Sequence, residues 1–352
     1  MISILLPNLN NRKFLEERID SIYSQTTSNW ELIIVDNYSD DGAWEFFEKL
    51  ASQDERVKIS QAKREGMYDN WNNCIRQATG QYVYIATSDD IMAKDCLEKL
   101  SQALDEHPEC GLAHCELMLF NEHGEEIPKD WWRRDLFAKS SGDFIHRKHI
   151  RKAPFDGLLH LAGRTVYTSI TQLLIRKNLF AKTGLFPTGY GSKGDYHWDM
   201  KAALLTDTIH VPDTWGGWRQ HSNQATEPSG MDSPEHWKVI EAMSKEALNE
   251  TRQFLGVKVL KFVESQTAML YIRLSLIRSE LALRSNHLRF KYILSEARRY
   301  PYPVVALFLD KLKAMINLKR EDIPTGWIRF LKDHGLEPQL IPVDKEGHSP
   351  CV

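Results

Sequence analysis

The feature that most constrains the fold is an alternation of short apolar runs with amphipathic stretches over the first 121 residues. Ser3–Leu6 reads as a buried strand closed by Pro7. Lys13–Ser24 follows, with Phe14, Leu15, Ile19 and Ile22 at helical spacing. Glu31–Asp36 is a second buried strand, Ala43–Ala51 a helix and Val57–Ser60 a short strand. Met67–Ala78 is a helix stopped by Gly80, Tyr82–Ala86 a strand, Lys94–Glu106 a helix and Leu112–Phe120 a strand. Mostly apolar strands that alternate with helices predict an α/β fold whose sheet is mainly parallel and flanked by helices. Residues 122–165 break the rhythm and read as a long, partly ordered loop over the site, with Trp131-Trp132-Arg133-Arg134 and the basic stretch 146–149. Ile170–Ile175 reads as a strand and Asp195–Leu205 as a helix. After Pro234 the chain reads as helical to about Leu331.

Charge divides the chain. Residues 1–230 hold 26 Lys+Arg against 33 Asp+Glu, and residues 231–352 hold 19 against 15. That asymmetry predicts two modules, 1–230 and 231–352. A net charge of -3 predicts no nucleic-acid partner. Five irregularly spaced cysteines argue against a disulfide framework. No signal peptide and no membrane-length apolar run is visible, so a cytoplasmic protein is expected.

In an open α/β sheet, ligands bind beyond the carboxyl ends of the strands. Three predicted strands end in polar residues: Pro7-Asn8, Asp36-Asn37 and Ser88-Asp89-Asp90. One such end is an ordinary turn or helix cap; three together predict a site. Adjacent carboxylates at 89 and 90 repel each other unless a cation shares the site. A hard divalent metal, Mg2+ or Mn2+, bound to a substrate diphosphate supplies that cation. Neither GxGxxG nor GxxxxGK[ST] is present, which argues against a dinucleotide oxidoreductase or a P-loop ATPase. His107, Cys110, His114 and Cys115 have zinc-like spacing, but strand alternation sends His114 and Cys115 to opposite faces.

Four segments carry a family resemblance. SILLPNLNNRKFLEERIDSIYSQTTSNWELIIVDNYSDDG at 3–42 resembles the opening of family 2 glycosyltransferases with the GT-A fold. EGMYDNWNNCIRQATGQYVYIATSDD at 65–90 resembles their next segment, ending in the DXD-type motif. GDYHWDMKAALL at 194–205 is similar to the segment that carries the catalytic base, and WRQHSNQAT at 218–226 to the closing His motif. The resemblance implies an inverting, metal-assisted transfer of a sugar from a nucleotide-diphosphate sugar to a glycan or lipid-linked acceptor in cell-surface polysaccharide synthesis. It implies that Pro7 and Asn8 line the nucleotide pocket, that Asp36 meets the base, that Arg64 lies near base or diphosphate, and that Ser88 and Asp89 contact the donor. Asp89, Asp90 and His221 are the implied metal set, and Asp195 the implied base, with Asp199 one helical turn on as its alternate. Thr87 stands at the usual first acid of the DXD motif, and Gly194 where Glu is common. Those departures keep a non-catalytic sugar-nucleotide-binding subunit as an alternative; a nucleotidyltransferase is the other, although Asn8-Leu9-Asn10-Asn11 lacks that class's Gly-rich basic loop. Trp215 and Trp218 are the preferred acceptor contacts.

Residues 255–320 contain 13 Lys+Arg and 4 Asp+Glu, with Arg284, Arg289, Lys291, Arg298 and Arg299 interleaved with apolar residues. This pattern predicts a peripheral contact with the inner face of the cell membrane, or a homo-oligomer interface.

Overall fold

The computed structural model describes residues 1–127, 136–222, 224, 234–265, 268, 269, 272–277, 293, 298, 323–336 and 338–343. The elements run in this order: β1 (Ile2–Asn8), α1 (Arg12–Tyr23), β2 (Trp30–Asp36), α2 (Ala43–Gln53), β3 (Val57–Gln61), α3 (Met67–Gln77), β4 (Tyr82–Ile85), β5 (Ile91–Met92), α4 (Cys96–Glu106) and β6 (Cys110–Phe120). They continue with β7 (Glu126–Ile127), α5 (Leu136–Ser141), β8 (His149–Arg151), α6 (Phe155–Leu161), β9 (Leu173–Arg176), α7 (Phe180–Thr183), α8 (Gly194–Leu205), β10 (Asp207–Arg219), α9 (Pro234–Thr251), α10 (Val257–Val263), α11 (Ile323–Asp333) and β11 (Leu340–Pro342).

One mixed sheet runs β11-β8-β10-β6-β9-β4-β1-β2-β3, with β5 on β10 and β7 on β6. β1 pairs parallel with β2 and β4, and β2 pairs parallel with β3. Every residue of β1 and β2 is buried, as expected of strands covered on both faces. β9 runs antiparallel between β4 and β6, and β6 pairs parallel with β10. One face carries α1, α2 and α4, whose Leu15, Ile22, Phe47, Leu97, Leu100 and Leu104 pack on Ile4, Leu6, Leu32 and Tyr84. The other face carries α3, α6, α8 and α9, with Trp71, Leu158, Trp198 and Met243 in one cluster.

Two sequence readings change. Residues 136–161 are not a loop: α5, a 3-10 turn at 142–146, β8 and α6 occupy them, and β8 pairs with β10. The reading failed because α6 is buried at every residue and so has no polar face to set a helical stripe. The predicted strand 170–175 is a 3-10 turn, Ile170–Gln172, before β9. In addition, β10 went unread. It contains Pro212, Gly216 and Gly217, which look like breakers; Pro212 falls in a register shift between Val211 and Trp215, with Asp213 at φ 63°, while Gly216 and Gly217 pair with Leu117 and Met118.

Beyond residue 231, α9 is helical as read, and α9, α10 and α11 add Ile240, Val263 and Trp327 to the same cluster as α8. Arg298 is exposed; Trp131 to Arg134, Arg284, Arg289, Lys291, Arg299, Thr226 and Cys351 lie outside the described residues. Among the described residues no helix is long and apolar enough to cross a membrane.

Candidate functional site

Because β1, β2 and β4 are parallel, their carboxyl ends share one edge of the sheet. Asn8 and Asp36 are register partners there. Pro7 is buried beside them, Asn8 is 1% exposed and Asp36 is fully buried. Asn8 Nδ2 donates to Asp36 Oδ1 (2.8 Å), which also accepts from Ser39 Oγ (2.6 Å), while Asp36 Oδ2 accepts from the Ser39 amide (2.8 Å). Asp36 thus pins the loop after β2. Arg64 closes the same loop: its Nε donates to the Asn37 carbonyl oxygen (2.8 Å), Nη2 meets the Tyr38 carbonyl, and Asp40 lies 3.9 Å away. Its side chain stays 47% exposed, so part of the guanidinium faces outward from the strand ends.

The loop after β4 forms the second part. Ser88 Oγ accepts from Asn11 Nδ2 (2.8 Å), which stitches it to the start of α1. The two adjacent carboxylates separate. Asp89 Oδ2 meets His221 Nε2 at 3.0 Å, whereas Asp90 turns inward. Asp90 Oδ1 accepts from the Arg219 amide (2.8 Å), its Oδ2 is taken by the Thr87 hydroxyl, and the residue is 4% exposed. Burial, and then the Asp89 charge, push the Asp90 carboxyl up to about 8.

Arg219, at the end of β10, has no role in the sequence reading and proves to be the hub. Its guanidinium donates to the Asp89 carbonyl oxygen (2.8 Å), the Asn121 carbonyl oxygen (3.3 Å) and Glu17 Oε2. Arg219 also packs over Phe14, 5.1 Å from Cζ to ring centroid, and Phe14 lies 4.9 Å from the His221 ring. Phe14 and Glu17 are three residues apart on α1, so one helix face addresses both Arg219 and His221. The only sequence signal for this was the stripe of α1, and Glu17 lies beside that stripe.

Asp195 sits in the first turn of α8, half-buried. Its Oδ1 accepts from the Tyr68 hydroxyl (2.8 Å) and from the Tyr196 amide (2.7 Å). Burial pushes its carboxyl up, and those two donors pull it back. Asp199 is 6% exposed with Oδ1 lacking a hydrogen-bond partner, so it is not a solvated helix carboxylate. Burial and the Asp195 charge push it well up. α3 ties Asp195 to the strand ends: it carries Tyr68 and also Asn70, whose Nδ2 donates to the Val35 carbonyl oxygen (2.9 Å).

Asp89 and His221 offer one oxygen and one nitrogen side by side. Among the described residues no group of three or more His, Cys, Asp or Glu could hold a metal ion. A divalent ion therefore fits here only if diphosphate and water complete its shell, the usual arrangement for Mg2+. His114 and Cys115 do face opposite ways: His114 meets Phe137 and Tyr167, and Cys115 joins the other apolar cluster. Trp215 lies 5.5 Å from Phe120, between ring centroids.

Residues 3–156 match the family model described as Glycosyl transferase family 2. The fold is shared with Staphylococcus aureus TarS 1–349 solved with UDP-GlcNAc: TM-score 0.53, 20% identity, 86% of this chain and 88% of that one. The glycosyltransferase GlyG of Streptococcus pneumoniae serotype 4 is 36% identical over 107 residues, 30% of this chain and 36% of that protein. The GalNAc(5)-diNAcBac-PP-undecaprenol beta-1,3-glucosyltransferase of Campylobacter jejuni is 29% identical over 154 residues, 41% of this chain and 50% of that one. Matches of this kind span about half or less of those relatives' own length. Residues 3–156 are thus similar to family 2 glycosyltransferases, and the sheet that continues beyond them gives the chain a fold similar to the GT-A fold.

Proposed function

We propose that the protein is an inverting glycosyltransferase that moves a sugar from a nucleotide-diphosphate sugar to a glycan or lipid-linked acceptor in cell-surface polysaccharide synthesis. The observation that carries the reading is the Asp89–His221 pair, 3.0 Å apart, beyond the carboxyl ends of the parallel strands. The UDP-GlcNAc held by TarS, and the undecaprenol-linked substrate in the name of the Campylobacter relative, indicate the donor and acceptor classes.

In this reading Pro7, Asn8 and the loop pinned by Asp36 frame the nucleotide, and Arg64 and Ser88 lie along its phosphates and ribose. Asp89 and His221 hold Mg2+ or Mn2+, which when bound supplies positive charge to the leaving diphosphate. Asp90 keeps Asp89 in place through the Arg219 amide. Asp195 Oδ2, which neither the Tyr68 hydroxyl nor the Tyr196 amide occupies, takes the proton of the acceptor hydroxyl. The acceptor oxygen attacks the anomeric carbon, the bond from that carbon to the diphosphate breaks, and the nucleoside diphosphate leaves with inversion at that carbon, while Asp195 keeps the proton. Trp215 and Trp218 are placed as acceptor contacts. Residues 1–230 carry the chemistry in the cytoplasm, and residues 231–352 provide the membrane or oligomer contact.

Calorimetry with UDP-GlcNAc tests the site. Binding in Mn2+ is expected to weaken at least about tenfold, a loss of about 1.4 kcal/mol, when EDTA replaces the metal. Asp89→Asn with His221→Ala is expected to remove that difference. Equal affinity with and without chelator contradicts the metal role.

A further inference from the structure

Tyr68 is 2% exposed, and its ring is fixed on three sides. Trp71 meets it edge-on at 5.0 Å, and Phe186 stacks at 6.1 Å. The third side is Gly194. A Cβ at 194 would lie 2.6 Å from Cδ2 and Cε2 of Tyr68, and 2.4 Å from the Pro187 carbonyl oxygen. The glycine that opens α8 therefore makes room for this ring. With the ring fixed there, the hydroxyl falls 2.8 Å from Asp195 Oδ1 and 3.1 Å from the Ser192 carbonyl oxygen.

We propose that Tyr68 is the positioning residue of the Asp195 base, seated by the missing side chain of Gly194. The proposal rests on the reading of Asp195 given above. The Tyr68 hydroxyl and the Tyr196 amide both take Oδ1, which fixes the carboxylate plane and leaves Oδ2 for the acceptor proton. The groups that set the charge here are few. Asp199 stands one turn along α8, and the Tyr68 phenol faces Asp195 from α3. The Tyr196 amide lies in α8, while the Tyr196 hydroxyl turns away to the His160 carbonyl oxygen (2.8 Å). Burial and the Asp195 charge keep the Tyr68 phenol protonated, so it acts as a donor throughout. Its hydrogen bond favours the ionised carboxylate and opposes the burial that pushes Asp195 up.

The test is a carbon-13 NMR titration of aspartate side-chain carboxyls, with Asp195→Asn identifying the Asp195 resonance. Wild-type Asp195 is expected to titrate above the ordinary carboxylate range. In Tyr68→Phe, which keeps the ring and removes the hydroxyl, it is expected to titrate about 1 pH unit higher. Tyr196→Phe, which loses a nearby hydroxyl bonded to the His160 carbonyl oxygen and not to Asp195, is expected to leave the titration in place. In the wild-type protein, labelled tyrosine Cζ should show Tyr68 inflecting at the Asp195 pH, a readout that needs no variant. The same Asp195 titration in wild type and Tyr68→Phe, an equal shift in Tyr196→Phe, or no inflection at Tyr68 overturns the proposal. Turnover is not used, so an Asp195→Asn enzyme that still transfers sugar would retire the base and leave this hydrogen-bond result standing by itself.

Discussion

Replacing Arg219 with Met separates the hub from its packing. Methionine keeps the apolar stem over Phe14 and removes every guanidinium contact. Two of those contacts are charge-assisted hydrogen bonds to carbonyl oxygens, at 2.8 Å to Asp89 and 3.3 Å to Asn121. A good one is worth about 1.5–3 kcal/mol and the longer one less. The third is an ion pair whose Glu17 side is 49% exposed, so about 1 kcal/mol or less is assigned to it. Relief of the buried charge returns part of this, because a guanidinium 2% exposed pays for its desolvation. The net loss is about 2–4 kcal/mol. For a chain of this length each kcal/mol lowers Tm by about 1–2 °C, so Tm should fall by about 2–8 °C. The site should suffer more than the fold. The Asp89 carbonyl loses its anchor while Asp90 keeps the backbone amide of residue 219, so the Asp89–His221 pair loosens. Calorimetry should show UDP-GlcNAc affinity down at least about tenfold, and differential scanning calorimetry the smaller thermal change. A variant with wild-type Tm and wild-type affinity refutes the hub.

Two further outcomes follow from packing and titration. Gly216→Ala puts a Cβ 2.0 Å from the Thr171 carbonyl oxygen, forcing β10 off the 170–172 turn. A cost of about 1–3 kcal/mol and weaker donor binding are expected, and urea unfolding with an unchanged midpoint contradicts it. Burial lowers His114 to about 3, and His149 and His160 to about 4, below the free value of 6.5. The unfolded chain therefore takes up protons first, so stability from these groups is complete above pH 6.5 and is lost as pH falls toward 4. Asp195 and Asp199, raised by burial, act in the opposite sense. His197 and His210, lowered by burial, add to the histidine contribution and Asp90, raised to about 8, offsets part of it, so stability is expected to fall from pH 6.5 to 4.5, and a urea midpoint that holds or rises over that range contradicts it.

The parallel half of the sheet was legible because β1, β2 and β4 are buried on both faces and, apart from Ser3 and Glu31, are apolar up to their carboxyl ends. Their carboxyl ends turn polar at Asn8, Asp36 and Ser88, and those ends point to the candidate site. What stayed hidden depends on tertiary partners. β10 hides a proline and two glycines in a bulged ladder, and the Asp89-Asp90 run gives no sign that only Asp89 turns toward His221. The Tyr68–Gly194 contact joins residues 126 apart in sequence, and neither has a helical or strand period that points to the other. His221, by contrast, was proposed from its motif; it lies 3.0 Å from Asp89 and 4.9 Å from the Phe14 ring, neither of which is near it in sequence.

The central claim is that this GT-A fold transfers sugar with Asp195 as base, and Asp195→Asn tests it most directly. Nucleoside diphosphate release from the donor should be followed in the presence of acceptor, with donor binding measured on the same preparation. The account predicts release down by at least about a hundredfold, with donor affinity within about twofold of wild type. Normal turnover in the variant would contradict it.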